Sequence, residues 1–387
     1  MSSSPPAILL LHNSYRERGG EERAVAEQAA LLRAHGHRVE LLERSSDELE
    51  GVSGRARAAA SLLAGGWRPD AVADAVRSCG ASVVHAHNVH PLFGARALEA
   101  ARGAGARTVL QLHNFRLWCA IGVAYRDGAV CHRCTGRDTH PGWRLRCRGG
   151  VAEAAVYGAG LARQQPRLLA GADRFIVLSE ASRVAMAALG LPIERADVVG
   201  NPLSGEAFAP SSAADRGEYA LCVGRLTEEK GFDTAIAACC SARVPLRIAG
   251  SGPDEGRLRA LAGACDVRLL GRLSPDELQG VLSGAAVLLA PSRWEEQCPY
   301  AVLEAMAAGV PVLASALGGL PELVGDSASL PVGDVDAWTR ALAELWADPS
   351  ERHRRGAGAL ARARERAAPE TVYEALMGVY ARAGVGA

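Results

Sequence analysis

Short apolar runs recur along this chain, each separated from the next by a segment of helical character. In the first half they are Ala7–His12, His37–Leu42, Ser82–His87, Thr108–His113, Arg174–Leu178 and Ala196–Val199. In the second half they are Tyr219–Val223, Leu246–Ala249, Val267–Leu270, Val287–Ala290, Pro311–Ala314 and Ser329–Pro331. Near-continuous apolar runs alternating with helices specify parallel strands buried on both faces, which is a doubly wound α/β sheet. A chain of 387 residues accommodates two such sheets. The expected organisation is a first domain over residues 1–200, a polar, proline-containing linker over 201–217, a second domain over 218–368, and a terminal helix over 369–387 that crosses back to the first domain.

Ligands bind such sheets outside the C-terminal ends of the strands. Those ends carry His12-Asn13, His85, His87-Asn88 and His113-Asn114 in the first half, and Gly224-Arg225, Gly250-Ser251-Gly252, Gly271-Arg272 and Pro291-Ser292 in the second. The segment Pro291–Val312, PSRWEEQCPYAVLEAMAAGVPV, sets Glu296 on a loop and Glu304 about two turns into the helix that follows. Pro299 just inside the start of that helix and Gly309 just past its end are the expected boundaries. A strand, a tight loop and a helix N-terminus present unpaired N–H groups to a phosphate.

Of the 43 basic residues one alone is lysine, Lys230. It lies five residues after Arg225 in VGRLTEEKG, at the end of a short apolar strand, where an ammonium and a guanidinium together suit a diphosphate.

In this order, Gly19-Gly20, Val223–Gly231 and the Glu296/Glu304 pair, followed by EAMAAGVPVLASALGGLPELV, resemble the retaining glycosyltransferases of family 4. The resemblance runs from about residue 7 to residue 345. It implies the GT-B fold, two Rossmann-like domains facing a central cleft, and a nucleoside-diphosphate sugar as donor, UDP first, with GDP and ADP open. It further implies that Arg225 and Lys230 hold the diphosphate, that Glu304 takes the ribose, and that Glu296 and His113 contact the sugar. The segment Cys298, Pro299, Tyr300 and Ala301 would meet the sugar and diphosphate, the backbone at Arg272 the base, and Gly19-Gly20 would allow close approach. His12, His87, Asn88 and Asn114 are the expected acceptor contacts. A front-face mechanism assisted by the leaving diphosphate, with no metal required, follows from the same resemblance, as does a glycan, lipid-linked or natural-product acceptor. The motif Asp334-Val335-Asp336 reads as a helix cap rather than a metal site. A nucleotide-sugar epimerase of the same fold and a zinc-stapled, non-catalytic binding protein are the alternatives.

Four of the ten cysteines, Cys119, Cys131, Cys134 and Cys147, fall in an insertion at 115–150 with spacing C-x11-C-x2-C-x12-C. Structural zinc is the expectation there, with disulfides and free thiols as the other readings. The remaining six read as small core residues.

The chain is 49% hydrophobic and 22% charged, which excludes a disordered protein. Its net charge is zero, yet residues 1–200 carry 25 Arg against 19 acids and the remainder 18 basic against 24 acidic residues, balances of +6 and −6. No basic run with interleaved aromatics points to nucleic acid. The composition suits a GC-rich bacterial genome. MSSSPPAILLLHNS lacks the basic n-region and apolar length of a signal peptide, and no run reaches transmembrane length. A cytoplasmic protein, with peripheral membrane contact through its basic half, is the expectation.

Overall fold

The computed structural model describes residues 5–15 and 19–385. The strands in chain order are β1 (Ile8–Ser14), β2 (Val39–Ser45), β3 (Val83–Ala86), β4 (Arg107–Leu112), β5 (Tyr125–Arg126), β6 (Ala129–Val130), β7 (Arg174–Val177), β8 (Ala196–Val198), β9 (Tyr219–Val223), β10 (Leu246–Ala249), β11 (Val267–Gly271), β12 (Ala285–Ala290), β13 (Val312–Ser315) and β14 (Ser329–Leu330). Each apolar run of the sequence is one of these strands.

Two compact units result. The first holds a six-stranded sheet of order β2-β1-β3-β4-β7-β8, parallel throughout. The second holds a six-stranded sheet of order β11-β10-β9-β12-β13-β14, also parallel throughout. Strand order reverses between β1 and β3 in the first sheet and between β9 and β12 in the second, and such switch points open a crevice at the strands' C-terminal ends. Central strands are wholly buried: Ile8 to Leu11 are all 0% exposed. Helices cover both faces, so these strands never alternate in polarity.

The unit boundaries differ in detail from the divisions read in the sequence. Unit 1 comprises 1–124, 131–202 and 372–387, and unit 2 comprises 125–130 and 203–371. Residues 203–217 are not a free linker. Ala209 N donates to Ala307 O at 2.8 Å, Ser212 Oγ to Gly309 O at 2.6 Å, and the Arg352 guanidinium to the carbonyls of Ala214 and Asp215 at 3.0 Å each. The hairpin β5–β6 interrupts unit 1. Its turn, Asp127-Gly128, is left-handed at both residues, the geometry that joins twisted antiparallel strands. Tyr125 at its start donates its hydroxyl to Glu228 Oε1 at 3.3 Å, within unit 2.

The terminal helix, Pro369–Arg382, packs Val372, Leu376, Val379 and Tyr380 on Ile8, Leu10, Val83, Val109 and Ile176 of the first sheet. The Tyr380 hydroxyl bonds His85 Nδ1 at 2.9 Å, and the Tyr373 hydroxyl bonds His37 Nε2 at 3.0 Å. Two of the six cysteines read as core residues are instead joined, as the disulfide Cys240–Cys265 between the helix Phe232–Ala242 and the approach to β11. Their distance in sequence hid the pairing. Among the described residues no helix is long and apolar enough to cross a membrane.

Leu376 is fully buried under the first sheet. Leu376→Ala is expected to cost about 3 kcal/mol of unit 1 stability, read as an earlier urea transition with unit 2 reporters unmoved.

Candidate functional site

In unit 2, the loops after β9 and β12 meet at the switch point. Gly231 permits the meeting: its φ is +65°, and a Cβ there would lie 2.1 Å from the Pro291 carbonyl oxygen. The contact seats Lys230 against Glu296, Nζ to Oε1 at 2.5 Å. Ser292 Oγ donates to the same oxygen at 3.0 Å, and the ammonium lies 5.4 Å from the centre of the Trp294 ring. Glu296 is 6% exposed. One of its oxygens is therefore fixed by two donors, while Oε2 makes no hydrogen bond among the described residues. The Glu296 carbonyl is clasped as well. Gly319 N donates to it at 2.7 Å, and Gly318, at φ +59°, leaves no room for a Cβ.

Arg225 stands at the rim with its side chain 55% exposed, its guanidinium 3.3 Å from Glu229 Oε1. Glu229 also accepts from Thr227 Oγ1 at 2.7 Å. Glu304 is half-buried on the helix Tyr300–Ala307, and Arg272 is exposed just after β11. Cys298 and Tyr300 are buried, and Ala301 half-buried. Pro299 is the N-cap of this helix rather than its first residue, since its ψ of 129° is extended, and Gly309 follows the C-cap. Asp334 caps its helix by accepting from Ala337 N at 2.9 Å. The sequence reading passed over Gln297, which is 3% exposed with neither end of its carboxamide hydrogen-bonded, and the orphaned Trp294 Nε1. Both lie inside the Glu296/Glu304 segment, and that position was the available signal.

In unit 1, four histidines gather at the C-terminal edge of β1, β3 and β4. His87 Nδ1 bonds His113 Nε2 at 2.9 Å, His85 stacks on His87 at 4.5 Å, and His12 meets His87 edge-on at 6.4 Å. Burial lowers the basicity of three of them: His85 and His113 fall to about 3, and His87 falls well below its ordinary value. These imidazoles are neutral at pH 7, so His113 offers a hydrogen bond and no charge. Asn88 spends its carboxamide inside the fold, donating to Asn13 O at 2.8 Å and accepting from His90 N at 3.0 Å. It ties the end of β3 to the end of β1.

Gly19 caps the helix Gly20–Ala34. Glu22 in its first turn accepts from Tyr15 N and Gly19 N at 2.8 Å each. Burial raises this carboxyl, but His12 and those amides outweigh burial and hold it at about 2. Next to it, Glu21 behaves oppositely. Withdrawal from water is its largest influence and lifts it to about 7, against the pull of His12 and Arg116. Asn114 donates to Glu21 Oε2 at 3.1 Å.

Cys119, Cys131, Cys134 and Cys147 are thiols, all half-buried. Burial raises Cys119, and burial with its three neighbours raises Cys134 to about 11. Among the described residues no three His, Cys, Asp or Glu side chains form a group able to hold a metal ion. The thiols are near one another without a shared centre, and the zinc expectation finds no support in this geometry.

The model of the domain described as glycosyl transferase 4-like matches residues 19–202, and that of glycosyl transferases group 1 matches residues 205–362. The chain is 29% identical over 229 residues to the amylovoran biosynthesis glycosyltransferase AmsK of Erwinia amylovora, 52% of this chain and 56% of that protein. It is 33% identical over 227 residues to the 2-deoxystreptamine N-acetyl-D-glucosaminyltransferase of Streptomyces fradiae, 50% of this chain and 53% of that one. The matches thus span about half the length of these curated relatives. The crystal structure of HepE from Anabaena with UDP and glucose superposes with a TM-score of 0.65 over 97% of this chain and all of that one, at 17% identity, a likeness of fold.

The histidine cluster sets an acid limit on stability. Below about pH 6.5 the unfolded chain takes up protons on these imidazoles that the folded chain refuses until about pH 3. Stability is therefore fully present above that upper value and falls as pH drops. His87→Gln is expected to lose less stability than the wild type between about pH 7 and about pH 5, measured by urea unfolding at each.

Proposed function

The chain belongs to the family 4 glycosyltransferases of the GT-B fold, and from that premise we propose that it moves a sugar from a nucleoside-diphosphate sugar, UDP-linked first, to a hydroxyl acceptor with retention at the anomeric carbon. Unit 2 takes the donor and unit 1 the acceptor. The observation that carries the reading is the Lys230–Glu296–Ser292 contact at the second switch point. An ammonium has three donors, and the contact with Glu296 uses one. The others remain for diphosphate oxygens, with the exposed Arg225 closing from the rim. Charge growing on the leaving diphosphate is met by these fixed cations, in the part a metal ion plays elsewhere.

Glu296 is held as a sugar-hydroxyl acceptor and not as a nucleophile. Its fixed oxygen is occupied by Lys230 and Ser292, and Oε2 is open to one hydroxyl. Glu304 takes the ribose hydroxyls, and the segment Cys298–Ala301 with the backbone at Arg272 frames the donor. The departing diphosphate receives the acceptor proton, and most of the rate comes from positioning. Neutral His113 donates or accepts a hydrogen bond at the sugar. UDP is the nucleotide of first choice because the HepE crystal structure, of the same fold, is a complex with it. The acceptor is a glycan, lipid-linked or small natural-product hydroxyl, and one relative is named for transfer to 2-deoxystreptamine. Basic residues of the first half suit a peripheral contact with an anionic membrane surface.

Calorimetric titration with UDP, GDP and ADP, without added metal, tests the donor reading. One base is expected to bind selectively, and Lys230→Ala to weaken it about tenfold or more. Glu304→Ala is expected to weaken it comparably with an unchanged melting curve. Failure of all three nucleotides to bind folded protein overturns the reading.

A further inference from the structure

A second constellation in unit 1 is used by none of these steps. It sits at the ends of β1 and β4, beside the first turn of the helix Gly20–Ala34. Glu21 Oε2 accepts from the Tyr15 hydroxyl at 3.1 Å and from Asn114 Nδ2 at 3.1 Å. Asn114 is itself fixed, because its Oδ1 accepts from Arg116 N at 2.9 Å. The Arg116 guanidinium lies over the Tyr15 ring at 5.1 Å and donates from Nη1 to the Tyr157 hydroxyl at 3.4 Å. Gly122, at φ +83°, leaves space beside Nη2, where a Cβ would approach to 3.1 Å.

Glu21 and Arg116 influence each other electrostatically yet form no ion pair. Each keeps bonding capacity. Glu21 Oε1 has no hydrogen bond among the described residues, and Arg116 Nε is buried without a partner. A carboxylate and a guanidinium held side by side, each with a vacant valence, ask for a ligand that donates to one and accepts from the other. An anion is disfavoured by Glu21 and a cation by Arg116. Two neighbouring hydroxyls on a neutral ring satisfy both, one donating a hydrogen bond to Oε1 and the other accepting one from the guanidinium.

We propose that Glu21 and Arg116, aligned by Tyr15 and Asn114, form the subsite that recognises a neutral vicinal diol of the acceptor. This makes them specificity-determining residues for a sugar or cyclitol acceptor, and it rests on the reading of unit 1 as the acceptor unit. The packing explains why the pair stays apart: Asn114 and Tyr15 both bond the Glu21 oxygen that would otherwise reach for Arg116. Two side chains thus hold the Glu21 carboxyl away from the Arg116 guanidinium.

The test is saturation-transfer NMR on the full chain, with and without UDP, using methyl α-D-glucopyranoside, methyl α-D-mannopyranoside and myo-inositol as neutral diol probes. 2-Deoxystreptamine and glucose 1-phosphate serve as the cationic and anionic probes. At least one neutral probe is expected to bind the wild type. Glu21→Gln and, separately, Arg116→Lys are expected to weaken that binding about tenfold or more, with UDP affinity and melting temperature unchanged. Arg116→Lys keeps the charge and loses the planar fork, so it remains informative if Glu21→Gln folds poorly. Binding of no neutral probe, preference for a charged probe, or equal binding by both variants overturns the proposal. UDP affinity is read in the same samples, so failure of the donor reading shows as loss of UDP binding with diol binding intact.

Discussion

Parallel pairing throughout each sheet obliges every strand to leave by the same edge. In unit 2 the chain therefore delivers Arg225 and Lys230 after β9 and Glu296 after β12 to one rim, although 66 residues separate Lys230 from Glu296. In unit 1 the same constraint gathers His12, His87 and His113 from β1, β3 and β4. An antiparallel sheet of the same strands would send alternate ends to opposite edges and assemble neither group. The reversal of strand order beside β9 and beside β1 then opens the space in which these groups stand.

The two rims solve opposite electrostatic problems. Unit 2 places an ammonium and a carboxylate in direct contact, so each compensates the other. In unit 1 burial strips the charge from three imidazoles, those of His85, His87 and His113. Glu21, held off from Arg116, is pushed toward its neutral form.

Periodicity made much of this legible in the sequence. The strands were visible because a strand buried on both faces is apolar at every position, and such runs are short and bounded. The Glu296/Glu304 pair and the lone Lys230 were visible because a parallel sheet puts its functional groups at strand ends. Contacts set by three-dimensional proximity alone were not legible. The disulfide Cys240–Cys265 joins segments with no local signature, and Gln297 and Arg116 sit among ordinary loop residues. The hairpin at Asp127-Gly128 carried a turn signal, yet two-residue strands are too short to show alternation. The cysteine spacing suggested a metal centre, and among the described residues no three such side chains form a group able to hold a metal ion.

What the sequence by itself determined is the number of strands, the helices between them, and the residues at the strand ends. Those depend on local hydrophobic pattern, which each segment carries unaided. The tertiary structure alone decided which loop meets which. Strand order is set by packing across the whole sheet, and it chose β9 and β12 as neighbours, and with them Lys230 and Glu296. It likewise decided that the terminal helix completes the first core, that Asn88 serves the backbone, and that Glu21 and Arg116 stand close without joining. Each of these is an energy between distant segments, and no window of sequence contains it.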